Sequence, residues 1–170
     1  EGLRAALTAA TPEALPGLFW WAFARGAEVR AAPGEPLLLA DLPRVDAVMA
    51  HVLERDETLF DGGPHLYFAL RLAAPPAQGG DPTRSAAHFE AARARSHGLD
   101  LMPWVLEAEH LAPLLAATPA GASLDEVRAA QRAAWTRFSG NLQQALLAPA
   151  DYDRSHPEKN AVARARSREL

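Results

Sequence analysis

Apolar residues recur along this chain with the 3.6-residue period of an α-helix, and prolines and glycines cut that period into segments. "TPEALPGLFWWAFARGAEVRA" sets Thr11 as N-cap, Pro12 at the first helical position and Glu13 in the first turn, and Pro33 and Gly34 stop it. A short helical stretch at Gly2–Ala9 precedes it. The next helix is expected to open at Asp41, with Leu42, Val45, Val48, Met49, Val52 and Leu53 on one stripe. A third spans Pro64–Ala74 and ends before Pro75-Pro76. Asp81-Pro82 is another cap-plus-proline start, closed by Gly98. From Leu101, Trp104, Val105, Ala108, Leu111, Ala112 and Leu115 share a face. Ser123 caps a segment reaching Leu147, with Ser139-Gly140-Asn141 as a break, and an arginine-rich helix over Glu158–Leu170 packs by one narrow face.

No segment alternates with period two, and alanine and leucine dominate the 49% hydrophobic fraction. The class is all-α. The 170 residues suit one domain of seven to eight helices. A net charge of −4 offers no electrostatic footprint for nucleic acid, so no nucleic-acid partner is expected. With no cysteine, disulfides, thiolate metal sites and cysteine nucleophiles are excluded. The opening "EGLRAAL" reads like the middle of a helix, from which a preceding signal or anchor is expected.

The helices pair. Met49 and Phe89 hold comparable places in the second helix of two successive units, and Ser85, Phe89 and Ala92 have the small–aromatic–small spacing of a tetratricopeptide second helix. The architecture expected is a tetratricopeptide-like solenoid or bundle of helix pairs, whose stacking creates concave apolar surfaces.

Chemistry-bearing residues are sparse. "DGGPH", Asp61–His65, lacks the spacing of a phosphate loop, and no strand precedes it; it reads as an inter-helix corner, with a ligand-facing turn as the alternative. His65 has no partner nearby in sequence. Glu107 and His110 have the Glu-x-x-His spacing of a di-iron bundle but no second copy, and are placed on a solvated face. A helical metalloenzyme using Glu107, His110 and one or more of His51, His65 and His88 is the enzymatic alternative. No Gly-x-Ser-x-Gly elbow appears. The rings of Phe19, Trp20, Trp21 and Phe23 cannot all point to one side of a helix, so some face a second surface: a neighbouring helix, a subunit or a cavity.

The chain also resembles a known family, the T component associated with tripartite ATP-independent periplasmic (TRAP) transporters, often called TatT. The likeness runs through "TPEALPGLFWWAFARGAEV" and "LADLPRVDAVMAHVLERDETLFDGGPHLYFALRLAAPPAQGGDPTRSAAHFEAARARSHGLDLMPWVLEAEHLAP", and resumes weakly in "LQQALLAPADYDRSHPEKNAVARARSREL". Its most specific piece is Gly62-Gly63-Pro64-His65-Leu66, then Pro-Pro, Gly79-Gly80-Asp81-Pro82 and "AAHFEAA". The resemblance implies a non-enzymatic, tetratricopeptide-like periplasmic lipoprotein without a cofactor, assembling as a homo-oligomer, a trimer. It further implies association with a periplasmic substrate-binding protein and a cleft or pore for a hydrophobic small molecule or lipid. Trp20, Trp21, Phe23, His65, Tyr67, Phe68 and Trp104 are the expected lining. Ala69 stands where the family has a smaller residue, and "LAATPAGASLDEVRAAQRAAWTRFSG" is extended relative to its pattern. A scaffold binding extended peptides, with no small ligand, is the alternative.

Overall fold

Proline and capping residues open most of the helices, because each satisfies or dispenses with backbone donors that a first turn leaves unpaired. The computed structural model describes residues 2–32, 34–149, 152 and 157–170. Among these it is an all-α bundle without a strand: α1 (Gly2–Thr8), α2 (Leu15–Ala31), α3 (Pro36–Arg55), α4 (Leu59–Leu72), α5 (Pro82–Arg95), α6 (Met102–His110), α7 (Ala112–Leu115), α8 (Leu124–Leu147) and α9 (Pro157–Glu169). A 3₁₀ turn at Pro12–Ala14 leads into α2, with Thr11 extended before it. Asp81 accepts from the Arg84 amide at 3.0 Å. Ser123 and Glu126 form a full capping box at the start of α8.

The start of α3 and the course of α8 differ from the sequence reading. α3 begins at Pro36, five residues before Asp41, and carries Pro43 inside it. Pro43 lies early in the helix, where the carbonyl it frees sits near exposed Leu39, so the ring ends nothing. Ser139-Gly140-Asn141 does not break α8, since the Ser139 hydroxyl bonds back to the Trp135 carbonyl at 2.8 Å within a continuous helix. At the end of α2, Pro33 lies outside the described residues.

Successive helices pair, α2 with α3 and α4 with α5, while α6 packs on α8 and α9. Met49 and Phe89 are both fully buried. Each contributes roughly 1.5–3 kcal/mol by leaving water. Ser85 lies between α4 and α5, where its hydroxyl donates to the Ala69 carbonyl at 2.7 Å, and Ala92 completes the contact. The last helix buries Asn160, Ala163 and Ser167, a stripe of small residues as narrow as its composition suggests.

The largest departure concerns Glu107. It is 1% exposed, not solvated, and ion-pairs with Arg93 of α5 and Arg137 of α8. α8 covers the face of α6 that the sequence pattern leaves open, so α6 is buried on two sides.

The corner before α4 is unusual. Phe60, Asp61 and Gly62 have positive φ of 51°, 61° and 83°, so regular α4 starts at about Gly63. A side chain on Gly62 would lie 3.1 Å from the Ala92 Cα as well as being strained at that φ. Gly62→Ala is therefore expected to lower unfolding free energy by about 2–3 kcal/mol. Gly140→Ala, with open space around it in a continuous helix, is expected to raise it by about 0.5–1 kcal/mol. Urea titration of both variants checks the pair.

Candidate functional site

A cavity of about 900 Å³ lies among α2, α3, α4 and α6. The close approach of α2 to α4 that shapes its floor depends on Gly26: a Cβ there would fall 2.6 Å from the Tyr67 ring. Val29, Tyr67 and Leu70 form the buried floor, and Leu39, Ala77 and Gln78 the exposed mouth. The Tyr67 hydroxyl donates to Asp46 at 2.7 Å, and the Arg71 Nε donates to the other carboxylate oxygen at 3.2 Å. Burial, reinforced by the bond to Asp46, pushes the Tyr67 phenol well above its ordinary range, so it is a neutral donor. Arg30, Arg71 and His110 supply the remaining polar edge. Burial holds the Arg30 guanidinium below its usual range, and burial likewise lowers His110, with Arg30 adding to the effect and Glu109 opposing it.

Of the residues expected from sequence to share one cleft, only Tyr67 lines this cavity. Phe19 is buried, and Trp20 and Phe23 pack around it with Phe60; Trp20 remains 55% exposed, so the rings do face two surfaces. Trp21 lies elsewhere on α2, with the Arg44 guanidinium 5.3 Å from its ring. Trp104 packs beneath Arg93 at 4.2 Å and does not line the cavity. Arg30 and Arg71 were not among the sequence candidates, and His110 was one only for a metal site with Glu107. Their signal is spatial, since they come from three separate helices.

His65 has partners that sequence proximity hides. Its Nε2 meets Glu57 Oε2 at 3.2 Å, and its Nδ1 meets the Nδ1 of His88 at 3.0 Å. Glu57 also accepts from Arg95 at 2.7 Å. A carboxylate only accepts, which places a proton on His65 Nε2, while the two Nδ1 atoms of His65 and His88 share a single proton between them. Phe68 stacks on the other side of the His88 ring, at 5.4 Å. The pair braces α4 against α5. Glu107, meanwhile, is committed to its two arginines and His110 to the cavity edge, so the two do not share a site. Among the described residues no three histidine or acidic side chains surround a common metal position.

Burial, then the charge of His65 and Arg84, holds His88 down to about 4 from 6.5. The unfolded chain thus takes up a proton that the folded chain refuses. Stability is full above pH 6.5 and falls as pH drops towards about 4. For a half-exposed ring the loss is expected to be about 1–2 kcal/mol. His88→Gln should flatten this part of the profile in urea unfolding at pH 7 and 4.5; parallel profiles would contradict the assignment.

The sequence matches no curated protein. A family profile described as TRAP transporter T-component matches residues 1–170. With the all-α bundle, the paired helices and the glycine–proline corner in agreement, the chain belongs to the TRAP transporter T-component family.

Proposed function

We propose that this protein is a non-enzymatic, periplasmic accessory component of a TRAP-type solute uptake system that holds a hydrophobic ligand between its helices. The cavity among α2, α3, α4 and α6 carries this reading. Its volume of about 900 Å³ is that of a small-molecule site, and Val29, Leu39, Leu42, Leu70 and Ala73 give it an apolar wall. Arg30, Tyr67, Arg71, Gln78 and His110 interrupt that wall with polar groups, which is how a site orients an otherwise apolar guest.

The partner in this reading is the periplasmic substrate-binding protein of the same system. Trp20 and Phe60, both exposed and 5.3 Å apart, offer it a rigid aromatic anchor. None of the described helices is long and apolar enough to cross a membrane, and attachment as a lipoprotein is the tether we propose. Self-association as a trimer belongs to the same reading, and the exposed ring of Trp135, stacked on Phe138, gives α8 an apolar face suited to it.

Two variants separate these roles. Ala73→Trp should occlude the cavity and weaken binding of a neutral environment-sensitive dye such as Nile red at least tenfold, without lowering helicity. Trp20→Ala combined with Trp21→Ala should leave dye binding intact and weaken capture of the cognate substrate-binding protein by a similar factor. Dye binding indifferent to Ala73→Trp would remove the cavity from the account.

A further inference from the structure

We infer that the ligand of this cavity is a single-tailed anionic amphiphile, with its negative head paired to Arg30 and its hydrocarbon tail on the Val29–Leu42–Leu70 wall. The inference rests on the cavity reading above and adds the charge of the guest.

Arg30 is half-buried at the cavity edge and pairs with no carboxylate among the described residues. The nearby acids are already engaged. Asp46 on α3 holds Tyr67 and Arg71 of α4. Glu28, two residues before Arg30, pairs with Arg25 at 2.6 Å, and Glu109 on α6 is gripped by both Nε and Nη2 of Arg166 from α9. Burial lowers the pKa of His110, which faces from α6, against the opposing charge of Glu109 and with Arg30 adding to the effect. Two guanidiniums against one carboxylate therefore leave one positive charge at the wall of a largely apolar space. A cation partly removed from water and left unpaired is costly, and its position in the last turn of α2 offsets only part of that cost through the helix dipole. One monoanion restores neutrality. Arginine also presents the fork of donors that carboxylate and phosphate oxygens accept in pairs.

A purely structural Arg30, placed there for the helix terminus alone, makes the opposite stability prediction. Removing it would then lower the melting temperature of the empty protein. If Arg30 awaits an anion, Arg30→Met relieves an unpaired charge, and the empty variant melts at the same temperature or higher.

The test is calorimetric binding of decanoate and of decanol to protein stripped of carried ligand, in the parent and in Arg30→Met, with Arg30→Gln as a second variant should methionine pack poorly. The parent is expected to bind decanoate at least tenfold more tightly than decanol, and each variant to bind both equally, with decanol affinity unchanged. Equal affinity of the parent for the two probes would overturn the anionic guest while leaving the apolar cavity in place. A decanoate preference that survives both substitutions would overturn the role of Arg30. Failure of the parent to bind either probe would overturn the cavity reading itself, and with it this inference.

Discussion

The ion-paired carboxylate of Glu107 is the point through which the two parts of the bundle are joined. One side chain on α6 reaches Arg93 on α5 and Arg137 on α8 while lying almost wholly out of water. Such a group is stable only when its charge is answered and its lone pairs are occupied, because an isolated buried carboxylate costs several kcal/mol. The pairing therefore dictates how α6 sits between the α4–α5 pair and the long α8. With α6 so placed, His110 at its end faces the cavity, and Trp104 lies beneath Arg93. The geometry of the cavity edge descends from this buried cluster.

A second constraint works through shape. Gly26 admits the Tyr67 ring, and Tyr67 in turn holds Asp46, which orients Arg71. A chain of contacts thus runs from a missing side chain on α2 to a positioned guanidinium on α4. Its result is an apolar recess with a neutral phenol, a paired arginine and an unpaired one at its edge. An architecture of stacked helix pairs supplies such recesses readily, and the family to which the chain belongs is a component of TRAP transporters.

Much of the fold was legible because its signals are local. Asp81-Pro82 and Ser123 mark helix starts through contacts spanning three residues, and the stripe of Val45, Val48, Met49 and Val52 reads directly as buried. What was not legible depends on contacts distant in sequence. Glu107 reads as solvated until Arg93 and Arg137 are brought to it from other helices. His65 looks unpartnered because Glu57 and His88 lie 8 and 23 residues away. The start of α3 was misplaced since Pro43 behind Asp41 imitates a cap-plus-proline opening. For the site, the aromatic rings drew attention by their size, yet Tyr67 alone of them lines the cavity. Arg30 and Arg71 carry no local mark that separates them from the other arginines of an arginine-rich chain; only their unequal pairing does.

What fills the recess in the protein's native envelope decides whether the cavity is an anion-binding site. Native mass spectrometry of the protein, purified from that envelope without detergent exchange, measures this directly. The prediction is one small apolar anion per chain, released on unfolding. A chain that arrives empty, or that carries only polar or uncharged molecules, would contradict it.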